Sequence, residues 1–150
     1  MPGSEDRQLI QQQWQDERYP RENSISLGAG FYCLFELPHE YPQLINKQWM
    51  PASDYSASQD CEGLAALAQC VASTGPWQAW AGECSAHGAD GFLSLQEKDS
   101  GALIWLVVLK DSNPFNRVEI RHRHLFAEST SGVTVRVPLE RPDQLTLTWP

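Results

Sequence analysis

Apolar and polar residues alternate along much of the second half of the chain. Leu93 and Leu95 alternate with Ser94 and Gln96, and Val133, Val135 and Val137 with Thr134 and Arg136. Leu145, Leu147 and Trp149 alternate with Gln144, Thr146 and Thr148. A period of two marks strands that lay one face on a core. Ala102 to Leu109 is apolar throughout, which predicts a central strand buried on both faces. Val118, Ile120, His122, His124 and Phe126 share one parity; Arg117, Glu119, Arg121 and Arg123 share the other, so 117–126 reads as a single strand. The segments between these runs, KDSG, DSNPFN, STSG and ERPD, are turn chemistry. The expected product is an antiparallel β-meander of about five or six strands.

The first half reads differently. Ser4 to about Glu17 predicts a helix, with Ser4, Glu5 and Asp6 at its start and Leu9, Ile10, Gln13 and Trp14 along one side. Pro20 stops it. Only three large apolar groups hold this helix, so residues 1–23 are expected to be loosely attached. Phe31 to Phe35 has the bias of a buried strand, entered from a turn at Gly28–Gly30. Pro38, Pro42 and Pro51 predict a mostly irregular stretch. The main helix is expected over about 60–73, capped by Asp60, with Leu64, Leu67, Ala68 and Val71 as its apolar stripe and Gly75-Pro76 as its stop. The resulting expectation is an α+β domain over 1–150: a meander covered by one main helix, with an additional N-terminal helix.

Composition fits a folded domain. Of the 150 residues, 41% are hydrophobic and 20% charged, with six Trp to pack. Charge narrows the partners. Eleven Lys+Arg against 19 Asp+Glu leave a formal net charge of -8, which argues against nucleic acid and anionic membrane surfaces. The excess lies in the first hundred residues. No basic region followed by an apolar run opens the chain, so a cytoplasmic protein is expected. Cys33, Cys61, Cys70 and Cys84 are spread without a C-x-x-C pair, so they read as free thiols and not as a zinc site or disulfide framework.

Candidate chemistry is thin. His122 and His124, two apart on a strand, would point the same way and could grip a metal with a third ligand from elsewhere; against this, they read as hydrogen-bonded edge histidines. Cys84 and His87 could pair as nucleophile and base, but Glu83 and Asp90 would raise the thiol's pKa. The arginines at 117, 121, 123 and 136 could form a basic stripe, yet without obvious aromatics on that face they read as a salt-bridged outer surface. No metal and no cofactor is assigned. Trp77 and Trp80, in a Gly/Pro-flanked segment near Glu83 and Asp90, could instead form an aromatic anchor ringed by acids.

These features favour a small acidic cytoplasmic protein-binding domain, with Trp77, Trp80, Glu83 and Asp90 as partner-binding residues and a basic protein as partner. In size and charge, and without any shared motif, the chain is similar to bacterial immunity proteins, which neutralise toxin domains by direct binding. The alternatives are a small metal- or thiol-dependent enzyme using His122/His124 or Cys84/His87, and an oligomeric adaptor domain.

Overall fold

A computed structural model describes residues 3–20, 22–38, 41–56, 61–63, 67–83 and 90–150. In chain order the elements are α1 (Ser4–Gln15), β1 (Arg18–Pro20), β2 (Ser24–Leu27), β3 (Phe31–Glu36), β4 (Ile45–Pro51), α2 (Ala52–Ser56), β5 (Cys61–Gly63), β6 (Leu67–Thr74) and β7 (Trp77–Glu83). Then follow β8 (Gly91–Glu97), β9 (Leu103–Leu109), β10 (Phe115–Arg121), β11 (His124–Ser129), β12 (Thr134–Pro138), a 3-10 turn (Pro142–Gln144) and β13 (Thr146–Thr148). All pairings are antiparallel. Seven strands form one sheet in the order β4-β3-β2-β9-β8-β7-β6, four form a second in the order β10-β11-β12-β13, and β1 pairs with β5.

The architecture is α+β in three layers. One apolar core lies between the two sheets, with Ile25, Cys33, Leu93, Leu95, Trp105 and Val107 facing Leu125, Val135, Val137 and Leu147. A second core lies on the other face of the seven-stranded sheet, where Ile10 of α1 and Ala52 and Tyr55 of α2 meet Tyr32, Phe92, Leu106 and Val108. The apolar run in β9 follows from this burial on both faces, and β9 is central as its sequence implies.

The helix layer is tied down by polar groups as well as by Ile10. Asp6 Oδ1 accepts the Ser53 N–H at 2.8 Å. Gln11 behaves like a short piece of strand: its Nε2 donates to Leu103 O at 2.9 Å and its Oε1 accepts the Leu103 N–H at 2.9 Å. Trp14 Nε1 donates to Gly101 O at 3.2 Å. Gly28 lies so close to β9 that a Cβ there would stand 1.8 Å from Leu103 O. The two sheets are joined at one edge, where Gln43 bridges Thr146 and the Leu147 N–H donates to Pro42 O at 2.8 Å.

Three expectations are corrected. The expected main helix over about 60–73 is absent: its described residues lie in β5 and β6, and β6 forms a hairpin with β7 around Gly75–Pro76. Leu67, Ala68 and Val71 of that stripe suit either period, and pairing with β7 decides between them. The helices that do cover the sheet are α1 and the five-residue α2, and the sheet they lie on has seven strands. The Pro-rich stretch is not mostly irregular, since β4 occupies Ile45–Pro51 as an edge strand with Pro51 at its end. The strand expected over 117–126 is two strands, β10 and β11, joined by a tight turn at His122 (φ 51°) and Arg123 (φ 60°). No helix of the described residues is long and apolar enough to cross a membrane.

Candidate functional site

Trp77 and Trp80 fall on a strand, so three positions apart means opposite faces. Trp77 packs against the core between the sheets, and the Arg123 guanidinium lies 5.5 Å from its ring centroid. Trp80 points to the helix side and meets Trp14 of α1, with ring centroids 5.6 Å apart and planes at 40°. Glu83 shares the parity of Trp77 but sits at the far end of β7, about 20 Å along the strand at roughly 3.3 Å per residue. Asp90 is buried and accepts the Asp111 N–H at 3.0 Å, a contact that pins the start of β8 to the turn after β9. The four residues are therefore not brought together on one patch.

The turn at 122–123 separates the two histidines. His124 Nδ1 lies 2.8 Å from His122 O, and its Nε2 lies 3.3 Å from Arg136 Nη2. The arrangement is satisfied if Nδ1 donates and Nε2 accepts, which leaves neither ring nitrogen of His124 for a metal. Among the described residues no group of three or more His, Cys, Asp and Glu is placed to hold a metal ion. Cys84 and His87 lie outside the described residues. Cys33 is a free thiol in the inter-sheet core, and burial, with Asp143 nearby, pushes its pKa up to about 11.

The reversal at 122–123 also delivers Phe126 and His124 to the arginine-bearing outer face of the four-stranded sheet. Arg121 lies 4.4 Å over the Phe126 ring. The acids of this layer are paired. Arg117 holds Glu128 and Arg121 holds Glu119, both at 3.5 Å; Arg123 holds Glu140, and Arg141 holds Asp143. A depression of about 420 Å³ on this sheet is lined by Arg117, Glu119, Phe126 and Glu128 among others. Two further depressions, of about 530 and 390 Å³, flank Lys47, which reaches from β4 to Asp143.

The opposite surface has the other electrostatic character. In α1, the two residues after it, and α2, Glu5, Asp16, Glu17 and Asp54 are exposed and Asp6 is buried, against Arg7 alone. The described residues of this layer form no ion pair with one another or with the sheets. Among the described residues, charge is thus paired on the outer sheet and acidic and unpaired in the helices and the two residues after α1.

The linear sequence hides one group of neighbours. Val71 of β6 sits directly across from Trp80 and is 55% exposed, so the Trp14–Trp80 pair continues into an open apolar margin of the sheet. The only sequence signal for this was Val71 itself, which a helical reading places in a core stripe. No known protein family matches the chain, and no curated protein or solved structure matches it either.

Proposed function

We propose that this chain is a cytoplasmic protein-binding module that captures a basic protein, in the manner of an immunity protein neutralising a toxin domain. One observation supports the reading above the others: among the described residues, the exposed acids Glu5, Asp16, Glu17 and Asp54 of the helix layer have no ion-pair partner, whereas the acids of the four-stranded sheet do. Unneutralised like charge on one face raises the local potential and steers an oppositely charged partner. Trp80 remains a partner-binding candidate in this reading, while Glu83 lies on the other face of β7 and drops out of it. Trp80 joins Trp14 on the acidic side, and Trp77 serves chiefly to pack the sheets.

The test is capture of partners from the source lysate on immobilised protein, elution by a salt gradient, and reconstitution with the purified partner. The expected partner is basic and stoichiometric, and its dissociation constant rises about tenfold between about 0.05 and 0.5 M salt. Charge reversal at Asp16, Glu17 and Asp54 slows association without lowering the unfolding midpoint. An empty capture, or a partner indifferent to both salt and reversal, overturns the reading.

A further inference from the structure

α1 covers the middle of one face of the seven-stranded sheet and stops short of its β6 margin. Its last turn sets Trp14 on Trp80, and Trp14 Nε1 anchors to Gly101 O at the end of the β8–β9 turn. Beyond Trp80 lies Val71, its direct cross-strand partner on the same face and the most exposed large apolar residue among those described. Both indoles are partly exposed. The three side chains form a shelf.

Acidic groups predominate around this shelf, where Asp16, Glu17 and Asp99 stand against Arg18 and Lys98. The helix ends here, so its backbone dipole presents its negative pole, about half an elementary charge. Asp16 and Glu17 follow at once, both exposed, and the last turn contains no basic residue to offset them. Glu17 is also held in the left-handed region at φ 56°. Asp99 lies in the turn that Trp14 anchors. Acids at this end of a helix oppose its dipole, an arrangement that a cationic partner relieves.

We infer that the Trp14–Trp80–Val71 shelf is the docking site for an arginine-bearing segment of a protein partner. The planar guanidinium stacks on an exposed indole, its aliphatic stem lies along Val71, and Asp16 and Glu17 supply the counter-charge. The molecule already uses this pairing internally, with Arg123 over Trp77 at 5.5 Å and Arg121 over Phe126 at 4.4 Å. Arginine is favoured over lysine because only the guanidinium is flat. The inference rests on the protein-binding reading above and names where and by what chemistry binding occurs.

The test is a titration of the full chain with a peptide of alternating Arg and Gly, followed through the tryptophan indole N–H signals in two-dimensional NMR. The control is the same peptide with citrulline for arginine, which keeps the plane and loses the charge. The indoles of Trp14 and Trp80 are expected to shift, while those of Trp49, Trp77, Trp105 and Trp149 stay. The citrulline peptide should bind at least about fivefold more weakly, as should the variants Val71→Lys and Asp16→Asn/Glu17→Gln, all at exposed positions. Shifts centred on other tryptophans, equal binding of the citrulline peptide, or self-association that occupies the shelf overturns the inference. The two proposals fail separately. A captured partner sensitive to Asp54→Lys but not to Val71→Lys removes the shelf and keeps the module. An empty capture beside selective arginine-peptide shifts removes the neutralisation reading and keeps the shelf.

Discussion

Asp143 is 6% exposed, and its two oxygens accept Arg141 Nε and Nη2, each at 3.1 Å, with Lys47 Nζ 3.4 Å from Oδ2. Burial pushes this carboxyl up, but the hydrogen bonds and charge of Arg141, with Lys47 behind it, reverse the effect, and the net direction is down. A carboxyl lowered in the folded state contributes stability that is present above its unfolded value and is lost as pH falls through its folded value. Both cations are partly exposed, so solvent discounts the contribution. We expect Asp143→Asn to cost about 1–2 kcal/mol in urea unfolding at pH 7. The gap between the two proteins should close as pH falls below about 4. Cys33 makes the complementary case, because its environment favours the neutral thiol. Alkylation mapped by mass spectrometry should leave Cys33 unmodified in the native protein at pH 8 and label it fully in denaturant; native labelling would contradict the burial. His122 owes its place to backbone conformation. His122→Asn keeps a residue that tolerates positive φ and should be neutral within about 0.5 kcal/mol, while His122→Val should cost about 1–2 kcal/mol. A metal role predicts instead that Asn and Val abolish zinc binding alike, which calorimetry with zinc would show.

Elements differ in how openly the chain declares them. α1 was legible because Leu9, Ile10 and Trp14 repeat at helical spacing before Pro20, and the four-stranded meander because Val133 to Val137 and Leu145 to Trp149 alternate cleanly. β6 was not, because Leu67, Ala68 and Val71 satisfy a helical stripe as well as a strand and only the non-local ladder to β7 chooses. The hairpin at 122–123 was hidden because neither residue is Gly, Asn or Asp, so alternation runs unbroken through a reversal of direction. The site depends on both elements. Trp77 and Trp80, read as one flanked segment after the helix stop, divide across a strand, and His124 and Phe126 change sides once the turn is placed. Gly28 was read as a turn residue, and its closer constraint is invisible without β9 beside it. Gly28→Ala would drive a methyl group into Leu103 O, so it should destabilise by about 1–3 kcal/mol in thermal or urea unfolding.

At the scale of the whole molecule, three layers make the middle sheet dependent on both neighbours. Its helix-facing side carries Tyr32, Phe92, Leu106 and Val108, none of which suits water. Deleting residues 1–17 should therefore yield a chain that binds a hydrophobic dye and scatters light, where a dispensable helix would leave a monomer with unchanged spectra. The difference in charge pairing between the outer sheet and the helices belongs to this scale as well, since it arises from which layer each segment joins. The Gln11–Leu103 pairing ties together positions 92 residues apart. Translation at about 5–20 residues per second separates the synthesis of its two halves by roughly 5–18 s. A helix made well before the strand it pairs with thus waits to find its place, and during that interval its apolar side is available to the chaperones that meet a growing chain.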